Sequence, residues 1–387
     1  MLYNRKLTIP PNSLKSFFLW GPRQSGKTSL LKALFPDAYR VDLLNSERFI
    51  EFSREPHRLR EELLALNSKT QLVIIDEVQK IPALLDEVHW LIENVGYRFG
   101  LCGSSARKLK RGHANLLGGR AVRYELSGLV SEELGSDFDL LRIINRGYIP
   151  NHYLDDDYRT LIRSYVTDYL KEEIFAESLV RSLPAFSRFL EVCAICDTNI
   201  INYRKTAEDC DVSPPTVKEY YQILVDTLLG SYLEAYSKKA KRKIVKSPKF
   251  YMFDVGIVNF LSRKESVLDG SNEFGPCLEN FLYHEVSTCN KYLGKYAPLS
   301  YWRLADSESM EVDFIIGDME IAIECKATAR ATGSHFKSLY EIKKEQPALK
   351  RRILVCLESR KRKLDDGIEI YPVKDFLEEL WGGGVIP

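Results

Sequence analysis

No apolar run in this 387-residue chain approaches the length of a membrane span, which excludes a helical transmembrane class. Neither sign of charge dominates: 55 Lys and Arg against 54 Asp and Glu give a net charge of +1, so local charge must be read instead. The eight cysteines form no framework, which in a chain of this length points to a reducing, cytoplasmic setting. One Cys-x-x-Cys exists, Cys193 and Cys196. It lies in a run with Phe186, Phe189, Leu190 and Val192, which predicts both sulfurs on the core face of a helix. No second pair or nearby histidine completes a zinc site. The N-terminus passes from mixed polar residues straight into a strand-like run, so no signal peptide is expected. What is present is an apolar fraction of 45%, ample for buried cores, and a length that suggests two or three domains.

Gly21-Pro22-Arg23-Gln24-Ser25-Gly26-Lys27-Thr28 is a full G-x-x-x-x-G-K-[ST] phosphate loop. It follows the apolar run Phe17-Phe18-Leu19-Trp20 and precedes Ser29 and the helical pattern Leu30, Leu31, Leu34, the strand–loop–helix context the motif requires. Gly21 and Gly26 let backbone N–H groups turn inward around phosphate oxygens at a helix N-terminus. Lys27 is placed to reach the β- and γ-phosphates, and the Thr28 hydroxyl to hold Mg²⁺.

Tyr39 to Leu44 reads as a second strand, and Pro56 opens a helix with Leu59, Leu63 and Leu66 on one face. Leu72-Val73-Ile74-Ile75 then fits a parallel strand buried on both faces. It ends in Asp76-Glu77, at the strand end where an open α/β sheet binds its ligand. Asp76 is expected to hold the Mg²⁺ hydration shell and Glu77 to deprotonate the attacking water. A small-molecule kinase has no need of that glutamate, because its nucleophile arrives on the substrate. A further strand, Tyr97 to Cys102, ends in Gly103-Ser104-Ser105. An arginine, Arg120, follows Gly118-Gly119; it reads either as a surface residue or as a finger supplied to a neighbouring subunit, which would imply a homo-oligomer.

These motifs, with Ile75-Asp76-Glu77-Val78-Gln79 and the Gly-Arg before Tyr124-Glu125-Leu126, resemble the prokaryotic AAA-type ATPases of the archaeal-type family. The resemblance implies a five-stranded parallel sheet with flanking helices and ATP as substrate. It also implies Ser104 as a sensor and Arg120 as the finger, with Arg107 and Arg123 as rivals.

Residues 131–184 read as a helical lid and connector, with a helix from Asp156 that carries Leu161, Tyr165 and Tyr169. In 185–254, Thr206 is expected to cap one short helix. Ser213, with Pro214 at the first helical position, caps a second that buries Val217, Tyr221, Leu224 and Leu228 and exposes Lys218, Glu219 and Gln222. That is a helix-turn-helix pattern, made winged by strands near Tyr232–Tyr236 and Lys249–Phe253. The segment 238–246 between them holds six basic residues and no acid, a natural contact for DNA phosphates; the alternative is protein packing.

In 255–387, Glu311-Val312-Asp313-Phe314-Ile315-Ile316 alternates, Gly317-Asp318 signals a two-residue hairpin, and Met319 to Lys326 follows. Such a turn sets Asp313 opposite Ala322 and diagonal to Glu324, with Lys326 beside it. Glu279 joins from a helix over Gly275–Tyr292. Asp-x10-Glu-x-Lys preceded by a helical Glu resembles the PD-(D/E)xK nuclease superfamily, which implies Mg²⁺ held by Glu279, Asp313 and Glu324 with Lys326 as the cationic partner. Position 312 is Val where that motif has Pro.

The sequence therefore predicts a P-loop ATPase sheet (1–130), a lid (131–184), a winged helix (185–254) and a restriction-endonuclease-like α/β domain (255–387). The expected function is Mg²⁺-dependent ATP hydrolysis coupled to DNA binding and to DNA cleavage. The alternative is a nucleotide-switched regulator with a catalytically silent nuclease-like fold.

Overall fold

The computed structural model describes residues 3–11, 13–66, 72–105, 117–171, 182–237, 247–304 and 310–387. They fall into two compact units, one of residues 7–128 with 226–229, the other of 1–6, 129–225 and 230–387.

The first unit is built on strands β1 (Ser16–Trp20), β2 (Tyr39–Asp42), β3 (Leu72–Asp76), β4 (Arg98–Gly103) and β5 (Ala121–Glu125), in the order β2-β3-β4-β1-β5. Every pairing is parallel. A parallel sheet is covered on both faces, so its strands read as continuous apolar runs. Val73, Ile74 and Ile75 of β3 are all buried, as is every residue of β1. The helix Arg58–Ala65 buries Leu59 and Leu63, one turn apart; Leu66 lies just past its end. This is a mixed α/β chain with a parallel central sheet.

The second unit begins with helices, among them Leu140–Arg146, Pro150–Leu154 and Tyr158–Ser164. The long helix expected from Asp156 is α-helical only to Ser164 and runs on as a π-helical stretch, Tyr165–Lys171. Next come helices Leu183–Ile195, Tyr203–Cys210 and Pro214–Asp226, and an antiparallel pair, β6 (Gly230–Leu233) and β7 (Lys249–Met252). Two local expectations are corrected. Asn202, not Thr206, caps Tyr203–Cys210, its Oδ1 accepting from Lys205 N at 3.1 Å, while Thr206 is buried within the helix. Cys193 is buried but Cys196 is exposed, because the helix stops at Ile195 and the second sulfur falls beyond its core face. Ser213 does serve the following helix, accepting from Thr216 N. Leu228, expected on that helix, lies past its end at φ 60°.

A mixed sheet closes the chain: β8 (Leu299–Arg303), β9 (Glu311–Ile316), β10 (Ile321–Lys326), β11 (Arg351–Cys356), β12 (Arg362–Lys363) and β13 (Ile368–Pro372), in the order β12-β13-β11-β10-β9-β8. The helix Phe274–Tyr292 packs Leu278, Phe281 and Leu282 with Phe314, Ile323 and Ile353 of the sheet. Leu339 and Ile342 of the helix Lys337–Glu345 join a second core with Ile315, Ala322 and Leu354. The β9–β10 hairpin differs from expectation. Ile316 pairs with Ile321, so four residues, Gly317 to Glu320, make the connection. Met319 is why: it turns inward at φ 62° and is buried in the second core, which a two-residue turn would prevent. The slip moves Asp313 from opposite Ala322 to the rung of Glu324, one step past the Phe314–Ile323 pair.

Candidate functional site

The phosphate loop joins the end of β1 to the helix Lys27–Leu34. Gln24 (φ 62°) and Gly26 (φ 94°) adopt left-handed conformations, the alternation by which consecutive N–H groups form an anion-binding concavity. Lys27 is 6% exposed, and its Nζ donates to the Gly21 and Pro22 carbonyls at 2.9 Å each. The ammonium thus spans the loop from within, where phosphate oxygens would supplant the two carbonyls. Thr28 Oγ1 donates to Asp76 Oδ2 at 2.6 Å, so the loop hydroxyl and the β3 carboxylate converge on one point. One hydroxyl and one carboxylate oxygen at that separation suit a hydrated Mg²⁺, which keeps most of its waters. The donor set therefore fits a nucleoside triphosphate with its magnesium.

Glu77 follows at φ 57°, its N–H donating to Asp76 Oδ1 at 3.0 Å. Its Oε2 accepts from Gln79 Nε2 at 2.5 Å, and the same nitrogen donates to Ser104 Oγ at 3.1 Å. Sequence reasoning placed Glu77 and Ser104 but gave Gln79 no role; its only signal was proximity to the Asp-Glu pair. Cys102 of β4 also neighbours this site, its thiol pushed well up by burial and then by Asp76.

Arg120 is exposed and ion-paired with Glu93. It precedes Ala121, which pairs with Ser16 at the start of β1, so it lies at the opposite end of the strands from the phosphate loop. Arg123 is exposed on β5 and paired with Glu125 at 2.9 Å. Arg107 lies outside the described residues.

In the second unit, Glu279, Asp313, Glu324 and Lys326 are gathered at one end of the β9–β10 hairpin, with two partners that the motif did not include. Lys249 of β7 is 2% exposed, and its Nζ lies 2.5 Å from Glu311 Oε1, 2.9 Å from Glu279 Oε1 and 3.4 Å from Asp313 Oδ1. Burial alone would lower the Lys249 pKa, but Glu279, Asp313 and Glu311 together push it well up, so the group stays an ammonium. Glu279 also accepts from Tyr251 Oη at 2.7 Å; burial, then Asp313, raises its pKa to about 7 against the pull of Lys249. Asp313 Oδ2 accepts from Cys325 N at 2.8 Å, which ends the ladder with a side chain. Lys326 Nζ sits 2.5 Å from Glu324 Oε1. Burial and Asp313 hold the Glu324 pKa well above the carboxylate range, and its Oε2 is buried without a hydrogen-bond partner among the described residues. Among the described residues no three His, Cys, Asp or Glu side chains are grouped so as to hold a metal ion. Nothing in the sequence ties Lys249, some sixty residues upstream of the motif, to this cluster. Burial of β7 and the chain path do: Tyr236 N donates to Tyr301 O at 2.7 Å, and Tyr301 N to Glu234 O at 3.0 Å, extending the β6 strand onto β8.

On the helix Pro214–Asp226, Val217, Tyr221 and Leu224 are buried as expected, and Lys218, Glu219 and Gln222 are exposed. The basic segment 238–246 lies outside the described residues.

The parallel sheet, the loop and the Thr28–Asp76 pair are those of a P-loop nucleotide-binding domain. Residues 14–135 match the model of a family described as "AAA domain". Residues 137–267 and 274–376 match two families, each described as a domain of unknown function. An uncharacterized protein of Mycobacterium tuberculosis is 25% identical over 318 residues, covering 80% of this chain and 70% of its own, and one of Mycobacterium bovis gives the same values. Among solved structures, the Aeropyrum pernix ORC1 protein in complex with DNA aligns with a TM-score of 0.30 and 11% identity, over 64% of this chain and 86% of that one. A STAND-type signal-transduction ATPase of Pyrococcus horikoshii aligns at 0.23 and 15%, over 76% and 50%. At these TM-scores neither alignment bears on the function of this chain. Among the described residues no helix is long and apolar enough to cross a membrane.

Proposed function

We propose that this chain hydrolyses ATP with Mg²⁺ and uses the nucleotide state to govern a DNA-binding helix pair. The observation that carries the reading is the 2.6 Å contact between Thr28 and Asp76, beside a lysine folded into its own phosphate loop. Loop N–H groups and the N-terminus of the helix at Lys27 would bind the β- and γ-phosphates. Lys27 would exchange its two carbonyl partners for phosphate oxygens. Thr28 and Asp76 would hold the metal, which when bound would offset the charge that develops in phosphoryl transfer. Glu77 would accept the proton of the attacking water, and Ser104 would contact that water or the γ-phosphate. The test is phosphate release with Mg²⁺: Lys27→Ala should abolish both nucleotide binding and turnover, and wild-type binding by that variant would refute the site. Arg120, remote from the loop of its own sheet, is proposed to act on a neighbouring subunit. A rate per chain that is constant on dilution to the monomer would remove that role.

The helix pair with its β6–β7 hairpin is read as a winged helix, and the six-stranded sheet as a nuclease-like domain, keeping the four-part division of the chain. DNA binding through phosphates predicts an affinity that falls steeply with salt. For the nuclease-like domain we favour the silent reading. The ammonium of Lys249 already pairs with Glu279 and Asp313, two of the three carboxylates expected to hold the metal, as well as with Glu311. Mg²⁺- or Mn²⁺-dependent cleavage of DNA that Asp313→Ala abolishes would overturn it.

A further inference from the structure

Gln79 belongs to no phosphate-binding motif, yet it is buried and its amide nitrogen serves two residues of the proposed hydrolytic site. Nε2 lies 2.5 Å from Glu77 Oε2 and 3.1 Å from Ser104 Oγ, so its two hydrogens link the end of β3 to the end of β4. The orientation of the amide is fixed chemically. Turned over, Oε1 would face a carboxylate, an acceptor against an acceptor. As placed, Oε1 is buried with no hydrogen-bond partner among the described residues. It lies over Gly103, where a Cβ would come within 2.1 Å of it. An apolar side chain of the same size would fill this space without stranding an oxygen, so packing alone does not account for the amide.

Glu77 is held from both ends. Its backbone is fixed in the left-handed region with its N–H on Asp76, and its carboxylate is fixed by Gln79. One carboxylate oxygen receives the amide, which leaves Oε1 to receive a proton from water. Ser104 reaches Glu77 only through this amide, with no direct hydrogen bond between the two among the described residues.

We propose that Gln79 is a positioning residue for Glu77, and that it passes the state of Ser104 to that carboxylate. A hydroxyl drawn toward phosphate would move the amide, and the amide would move the base. The inference rests on the hydrolysis reading. Gln79 itself exchanges no proton and forms no covalent bond.

The test compares turnover and ATP affinity in wild type, Gln79→Leu, Gln79→Glu, Ser104→Ala and the Gln79→Leu/Ser104→Ala double variant, each checked by thermal melting. Gln79→Leu keeps the volume without donors. Gln79→Glu keeps the shape but sets an acceptor against Glu77, and it carries the test should the leucine variant not fold. The expected result is a kcat lowered at least about tenfold in both, with ATP affinity within about twofold of wild type. The double variant should fall less far than the product of the two single effects, because the substitutions share one chain of contacts. Wild-type kcat in either Gln79 variant, or effects of Gln79→Leu and Ser104→Ala that multiply independently, would overturn the proposal. A loss of affinity matching the loss of kcat would overturn it too, by showing a structural role. A folded wild-type protein that binds ATP and shows no turnover would instead remove the hydrolysis reading and this inference with it.

Discussion

The ammonium of Lys249 lies 2.9 Å from the carboxylate of Glu279, in a site where the lysine side chain is almost wholly withdrawn from water. Glu311 and Asp313 complete its surroundings. Removing one member of a buried ionic group leaves the others uncompensated, typically at a cost of about 3–5 kcal/mol. Lys249→Ala should therefore lower the melting temperature markedly. Mn²⁺ should restore part of the loss in the variant while leaving wild type unmoved, because a divalent ion can replace the missing charge only where the ammonium is gone. A variant that melts with wild type would show that the three carboxylates do not need the lysine.

Thr28 donates its hydroxyl to Asp76. Thr28→Val keeps the shape of the side chain but removes the oxygen expected to hold the metal. Its turnover should fall by about two orders of magnitude, with ATP affinity measured in EDTA unchanged. Equal losses with and without Mg²⁺ would assign Thr28 to loop structure instead.

His152 is fully buried, packs edge-on against Tyr165 with ring centroids 5.5 Å apart, and has no hydrogen-bond partner on either ring nitrogen among the described residues. Burial lowers its pKa to about 4. A histidine whose folded pKa lies below its unfolded value binds its proton more readily when unfolded. Its contribution is therefore whole above about pH 6.5 and is lost as pH falls toward about 4, on the order of 3 kcal/mol. His152→Phe should flatten the acid side of the stability–pH curve over that window, measured by urea unfolding. An unchanged slope would place the acid sensitivity elsewhere.

Asn202 caps the first helix of the proposed winged helix by accepting from Lys205 N. Asn202→Ala should destabilise the second unit by about 1 kcal/mol, read from the same urea curves. A change within a few tenths would deny the cap.

The legible parts of this chain were those in which one element carries its own chemistry. The phosphate loop, the apolar β3 run ending in Asp76-Glu77 and the buried face Val217, Tyr221, Leu224 each follow from local pattern. Where tertiary packing decides, the structure departs from the local pattern. Met319 is drawn into the core and lengthens a turn that Gly317-Asp318 made look short, which shifts Asp313 onto the rung of Glu324. Asn202 caps a helix in place of Thr206 because the helix starts one turn earlier than its polar pattern suggested. The roles of Lys249 and Gln79 do not follow from the sequence, for a different reason. Each acts through partners brought near by the fold, and neither spacing nor residue type announces that.

The central claim is that Glu77 activates water for ATP hydrolysis at the loop formed by Gly21 to Thr28. Steady-state phosphate release with Mg²⁺ by wild type and Glu77→Gln, alongside ATP affinity, tests it most directly. The expected result is turnover by wild type and a loss of at least about a hundredfold in Glu77→Gln, with ATP still bound. Turnover by Glu77→Gln at the wild-type rate would contradict it.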